Sequence, residues 1–157
     1  MPISPKQRGN LFVVGQFSLL LALITIPTGA GWVSTSWLGV IDTVILAIGW
    51  LVLNLAGINL GRSLTANPVP LERATLKTNG LYALVRHPIY LALILIALAL
   101  AIKSESWLGY ALLATFIVLL NLKARFEERL LRSKFAEYGA YAAKVGRLFP
   151  GIGRVRD

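Results

Sequence analysis

Apolar residues are gathered into four stretches of the chain, and polar residues are concentrated between and after them. The stretches cover residues 11–27, 38–60, 88–102 and 107–122. An α-helix rises about 1.5 Å per residue, so the second stretch alone crosses a hydrocarbon core of roughly 30 Å comfortably. The pattern predicts an all-α integral membrane protein with about four transmembrane helices and a C-terminal helical cap over residues 123–157.

The lengths of three stretches leave alternatives. The third and fourth are short and are joined by a compact turn at 103–106, which makes them antiparallel neighbours. They borrow flanking residues, tilt into a thinned bilayer, or form a shallow hairpin. The first stretch, followed by small residues at 28–30, also has features of a cleavable signal peptide. Its removal would leave three spans and break the charge asymmetry described next.

The composition and charge of the chain indicate how it lies in a membrane. With 56% hydrophobic residues in 157, the chain has the size of a single membrane domain over residues 1–157. Of its 16 lysines and arginines, only Lys103 falls on the opposite side of the four predicted spans. The positive-inside rule therefore predicts that both termini and the cap are cytoplasmic. Anionic lipid headgroups account for this basic face better than a nucleic-acid partner does.

The chain has a single histidine and no cysteine, which excludes several classes of site. Disulfides and thiolate metal sites are impossible, and a histidine-rich metal centre or a Ser-His-Asp triad lacks its residues. We therefore predict no metal site.

Polar and aromatic residues cluster where the third stretch begins. Arg86, His87, Pro88 and Tyr90 follow one another there, and a proline suits the first position of a helix. His87 and Tyr90, three positions apart, would lie on nearly the same helical face. The free N–H groups of such a helix start favour an anionic ligand group. A basic anchor with an interfacial aromatic belt is the simpler interpretation of the same residues.

The fourth stretch passes into polar sequence with no glycine or proline to stop it, which predicts one long helix leaving the membrane. Glu127 and Glu128 point about 100° apart on such a helix. One of them would face the bundle while the other meets water or Arg132. Arg125 is either a boundary residue with its charge in water or a bidentate hydrogen-bond donor to a carboxylate or phosphate.

Several segments occur in an order typical of one family. They are residues 67–70, 76–82, 85–90, 125–128, 138–141 and 147–150. In this combination the chain resembles the isoprenylcysteine carboxyl methyltransferase family, which belongs with the membrane phospholipid methyltransferases. The resemblance covers roughly residues 61–152. Ala92 and Leu81 stand where that family often has glycine and proline.

The resemblance implies a methyltransferase that uses S-adenosylmethionine and releases S-adenosylhomocysteine. The cofactor would lie between the cytoplasmic helix ends and the cap, and a lipophilic or prenylated substrate would enter from the membrane lipids. No nucleic-acid partner is implied. The residues carried over for cofactor binding are Arg86, His87, Pro88, Tyr90, Tyr82, Glu127 and Tyr141. Those carried over for catalysis are Arg125, nearest the substrate, with Glu127 and Glu128.

Three functional hypotheses remain after these observations. The motif match favours methylation of a carboxylate, which Arg125 would orient without a base. Methylation of an amine, as on a phospholipid, would need a glutamate to accept a proton. A non-catalytic membrane scaffold, in which the Arg-His-Pro segment only anchors a helix, is the third hypothesis.

Overall fold

A computed structural model describes residues 3–27 and 36–155, and throughout these ranges the regular structure is helical. The α-helices are α1 (Pro5–Thr25), α2 (Ser36–Leu60), α3 (Pro88–Ser104), α4 (Trp107–Lys134) and α5 (Tyr138–Lys144). Short 3₁₀-helices cover Gly61–Ser63 and Gly80–Ala83. Within the described residues no strand forms beyond two isolated bridges. The predicted all-α fold class is confirmed.

All of α1 to α4 are longer than their apolar stretches, and α1 and α4 extend furthest into polar sequence. α1 begins at Pro5 because the Ser4 hydroxyl accepts from the Gln7 backbone while the Gln7 side chain accepts from the Ser4 N–H. α4 continues unbroken through the polar sequence to Lys134, as predicted. Three helices, over 5–25, 37–63 and 107–134, are long and apolar enough to cross a membrane. The fourth stretch thus gains its length from flanking residues, as one of the alternatives expected, and the first stretch does the same.

α3 is the innermost helix, and its start matches the prediction. Pro88 occupies its first turn after His87 as the N-cap residue. The helix has 17 residues, so it spans about 25 Å and is the shortest of the four membrane helices. It packs against α1, α2 and α4, with its alanines facing the interior. The signal-peptide alternative concerned residues 28–30, which lie outside the described residues.

The contact between α2 and α3 depends on a glycine. A Cβ atom added to Gly49 would lie 3.3 Å from the Ala92 carbonyl oxygen and 3.2 Å from the Ile96 nitrogen. Small residues let two membrane helices approach this closely. The backbone of α3 is therefore fixed against α2 a little more than one turn after the polar cluster at its start.

One end of the bundle gathers the start of α1, the loop before α3 and the C-terminal cap. Because residues 123–134 belong to α4, the cap is shorter than predicted and consists of residues 135–155. Asn67 Nδ2 donates to Asn10 Oδ1 at 2.7 Å, which ties the loop to α1. The backbone N–H groups of Arg86 and His87 donate to the carbonyls of Gly146 and Arg147 at 2.8 and 3.1 Å. The cap is thus bonded to the segment that enters α3.

We predict that Gly49→Leu lowers the apparent melting temperature, because overpacking a tight helix contact costs typically about 1–3 kcal/mol. Tryptophan fluorescence of the protein heated in detergent measures this. The matched control is Gly39→Leu in the same helix, where an added Cβ has nothing within 4 Å. Equal melting temperatures for the two variants would contradict the close contact.

Candidate functional site

Arg86 is the most extensively bonded side chain of the structure. Its Nε and Nη2 donate to Glu128 Oε1 at 2.9 and 2.7 Å. Nη1 donates to the carbonyls of Ala142, at 3.0 Å, and Val145, and Nη2 also donates to the Gly153 carbonyl at 3.0 Å. A guanidinium has five N–H groups, and all five are occupied by the protein itself. Arg86 therefore joins α4 to the cap and has no donor left for a ligand.

Glu128 is the anion at the centre of this cluster. Arg147 donates to both of its carboxylate oxygens, with Nη2 at 3.0 Å from Oε2 and Nε at 3.1 Å from Oε1. His87 Nε2 lies 3.3 Å from the same Oε1. Only 5% of Glu128 is exposed. The expected surface pair with Arg132 is absent from the described ion pairs, because the Glu128 side of α4 is covered by the cap.

Glu127 faces a different group of side chains and keeps part of its surface open. Its Oε2 accepts from the Tyr90 hydroxyl at 2.5 Å and lies 3.8 Å from His87 Nδ1. The rings of His87 and Tyr90 are stacked, with centroids 5.1 Å apart and planes 1° from parallel. The Glu127 side chain is 26% exposed. Both glutamates thus point inward, but only Glu127 has carboxylate surface available to a ligand.

A cavity of about 360 Å³ opens in front of Glu127, and we call it the inner cavity. Its size falls within the roughly 300–1,000 Å³ usual for small-molecule sites. Its walls come from α1 to α4 and from the loop before α3. Its polar lining residues are Gln16, Thr65, Tyr82, Arg86, His87, Tyr90, Lys123 and Glu127. Apolar side chains such as Phe17, Leu53 and Leu93 complete it.

Lys123 contributes a cation to the inner cavity. Its Nζ donates to Gln16 Oε1 at 2.6 Å and lies 5.1 Å from the centroid of the Tyr90 ring. It stands one helical turn before Glu127, so the two opposite charges share one face of α4. One cavity therefore holds a cation, a carboxylate and aromatic rings.

A smaller loop cavity of about 90 Å³ adjoins the inner cavity beneath the cap. Both are lined by Tyr82, Arg86 and Glu127. The Tyr138 hydroxyl, which belongs to a residue of the loop-cavity lining, is buried and has no hydrogen-bond partner among the described residues. Tyr141 donates to the Tyr82 carbonyl, and burial raises the pKa of Tyr141 to about 12, so the phenol stays protonated. Tyr138 thus offers a buried hydroxyl with unused bonding capacity.

Arg125 lies in neither of these cavities. It lines a third, open cavity of about 600 Å³ whose lining shares no residue with the other two. We call it the arginine cavity. Residues two positions apart on a helix point about 200° apart, so Arg125 and Glu127 occupy nearly opposite faces of α4. The predicted site residues are thus divided by α4: all but Arg125 and Glu128 line or adjoin the inner and loop cavities.

Four residues of this arrangement were absent from the predicted site: Gln16, Lys123, Tyr138 and Arg147. A signal existed for Lys123, whose four-residue spacing to Glu127 places both on one helix face. The positions of Arg147 and Tyr138 depend on how the cap folds back, which helical periodicity does not specify. Gln16 was assigned to helix packing, and it does connect α1 with α4 through Lys123.

We predict that Glu128→Gln strongly destabilises the protein, because breaking a buried ion pair typically costs about 3–5 kcal/mol and here leaves two arginines short of an anion. Glu127→Gln is the neighbouring control and loses only a half-buried carboxylate. Thermal unfolding in one detergent compares them. A Glu127→Gln variant that melts as low as Glu128→Gln would contradict this division of roles.

Comparison with known proteins connects this site to a family. The model of the phospholipid methyltransferase family matches residues 35–138, which include α2 to α4 and both glutamates. The cobalt-zinc-cadmium resistance protein CzcN of Cupriavidus metallidurans is 37% identical over 83 residues, covering 52% of this chain and 38% of that protein. The nickel-cobalt-cadmium resistance protein NccN of Alcaligenes xylosoxydans xylosoxydans is 29% identical over 139 residues, covering 87% of this chain and 63% of that protein. The chain thus spans less than two thirds of either relative. Because the family match extends over more than half of the chain, the protein belongs to the phospholipid methyltransferase family.

Proposed function

We propose that the protein transfers a methyl group from S-adenosylmethionine to a lipophilic acceptor at the cytoplasmic face of the membrane. The observation that carries the proposal is the joined pair of cavities around Glu127, in a chain of a methyltransferase family. The basic residues at the cap end of the bundle support the cytoplasmic orientation.

The residues around these cavities suit the chemical groups of S-adenosylmethionine. Glu127 would accept hydrogen bonds from its ammonium or ribose hydroxyls. Aromatic rings of the cavity linings would attract its sulfonium charge through their faces. The unpartnered Tyr138 hydroxyl, beneath the cap, offers a further hydrogen bond. Arg86, which resemblance assigns to the cofactor, would act instead by holding the cavity wall.

When bound, S-adenosylmethionine supplies an electrophilic methyl group whose departure by in-line displacement leaves S-adenosylhomocysteine. The contribution of the protein is alignment and exclusion of water. The stacked pair of His87 and Tyr90 fixes one wall, since the Tyr90 hydroxyl is bonded to Glu127. The apolar side chains that α1 and α2 contribute to the lining would exclude water and contact a lipid-soluble acceptor.

Two acceptor chemistries have separate support. The motif resemblance favours a carboxylate, and because Arg125 lies on the other face of α4, Lys123 is the cation of the inner cavity that would orient it. The family description, phospholipid methyltransferase, favours an amine, for which the half-open Glu127 would accept the proton.

Metal binding is not part of the proposal. The names of both relatives refer to metal resistance. In the part of the chain that the structure describes, no group of three or more His, Cys, Asp or Glu side chains could hold a metal ion.

We predict that the purified protein binds S-adenosylmethionine in detergent and that Glu127→Ala and His87→Ala each abolish this binding. Isothermal titration calorimetry measures it. Glu72→Ala, which removes an exposed carboxylate from the loop before α3, should bind as the unmodified protein does. Absence of binding by the unmodified protein would support the non-catalytic scaffold instead.

The acceptor class is tested with a labelled methyl donor and a membrane lipid extract. We expect the label in the lipophilic product to be released by mild alkali, because methyl esters hydrolyse and N-methyl groups do not. Retention of the label after alkali would identify the acceptor as an amine.

A further inference from the structure

The arginine cavity lies between α4, the start of α1 and the C-terminal segment. Five arginines contribute to its lining: Arg8, Arg125, Arg129, Arg132 and Arg147. Its other residues are Phe12, Leu122, Phe126, Glu128 and Val155. This is a concentration of positive charge in one concave surface, where the field of several like charges adds up.

The positive charge of this cavity is not balanced by the protein. Its one carboxylate, Glu128, is already bonded to Arg86, His87 and Arg147. The other four arginines of the lining form no ion pair with a carboxylate of the described residues. They therefore repel one another unless an anion from outside the chain lies between them.

Some of these guanidinium groups are held in place by an aromatic ring. The Cζ atoms of Arg8 and Arg129 lie 5.9 and 5.8 Å from the centroid of the Phe126 ring. A guanidinium stacked on a ring keeps its N–H edge available for an anion. The ring centroid of Phe12 lies 5.8 Å from that of Phe126, so Phe12 continues the same wall from α1.

The position of the cavity along α4 identifies the kind of anion. Arg125, Arg129 and Arg132 are spaced by four and three residues, so they share one helix face. Towards the middle of the helix this face continues with Leu122 and Val118, which are 50% and 59% exposed. The arginines thus begin where an exposed apolar surface ends, which is the level of lipid headgroups at a membrane boundary.

We propose that the arginine cavity binds the phosphate group of an anionic membrane lipid, whose acyl chains lie along the apolar face of α4. Guanidinium groups bind phosphate through paired, charge-assisted hydrogen bonds. The site is separate from methyl transfer, because α4 stands between this cavity and Glu127. The same chemistry would also suit free phosphate, and the experiment distinguishes the two sources.

The experiment is native mass spectrometry of the full chain in detergent, titrated with phosphatidylglycerol, with phosphatidylcholine and separately with inorganic phosphate. We expect preferential binding of phosphatidylglycerol. The double variant Arg129→Gln/Arg132→Gln should bind it about tenfold more weakly or worse, since hydrogen bonds between charged groups each contribute on the order of tenfold in affinity.

The control variant is Arg62→Gln/Arg73→Gln, which removes the same charge from exposed arginines that line none of the three cavities. It should bind phosphatidylglycerol as the unmodified protein does. Equal loss in both double variants, or equal binding of phosphatidylcholine, would reduce the effect to general surface charge and overturn the proposal. Inorganic phosphate that binds as tightly as the lipid would overturn the assignment to a lipid.

Melting temperatures keep the test valid if a variant folds poorly. Phosphatidylglycerol should raise the melting temperature of the unmodified protein and of the control variant, because a ligand of the folded state stabilises it. The Arg129→Gln/Arg132→Gln variant should gain nothing; an equal gain would contradict the site. Binding of S-adenosylmethionine by this variant, measured separately, distinguishes loss of the lipid site from failure of the proposed methyltransferase activity.

Discussion

The buried carboxylate of Glu128, enclosed by Arg86, Arg147 and His87, is the interaction on which the rest of the site depends. Charges leave water at a high cost, which is recovered only when their geometry and hydrogen bonding are complete. Here Arg86 also donates hydrogen bonds to three backbone carbonyls of the cap. The cluster therefore stabilises one particular placement of the cap over the helix ends, and this placement defines the walls of the loop cavity.

α4 separates two kinds of charge chemistry at the same level of the membrane. On one face, Lys123 and Glu127 stand beside aromatic rings in the inner cavity. On the other, arginines with no carboxylate partner line an open cavity next to exposed apolar surface. The buried Glu128 cluster lies between them. A single continuous helix thus presents a lysine and a glutamate to one cavity and a row of arginines to another.

The helices were predictable because their signals are local. The sequence alone shows the long apolar stretches and the proline at the start of α3. It also shows that no glycine or proline occurs between Leu122 and Lys134. The hydrophobic pattern did not reveal where α1 begins, because a capping interaction sets its start. The division of roles between Glu127 and Glu128 could not be predicted either, because it depends on the position of Arg147 in the folded cap. The resemblance placed Arg125 near the substrate. Neighbouring residues of a motif point to different faces of a helix, however, and the packing of the helices determines which face lines which cavity.

The bonds of Arg86 also imply an order of assembly. Its side-chain partners are separated from it by 42 to 67 residues along the chain, and the last of them, Gly153, follows every membrane helix. During synthesis the four helices can insert and pair while the Arg86 guanidinium is still hydrated. It becomes buried only when the segment after α5 folds back over it. Full burial of Arg86 therefore requires the segment after α5, the last contributor to its hydrogen bonds along the chain.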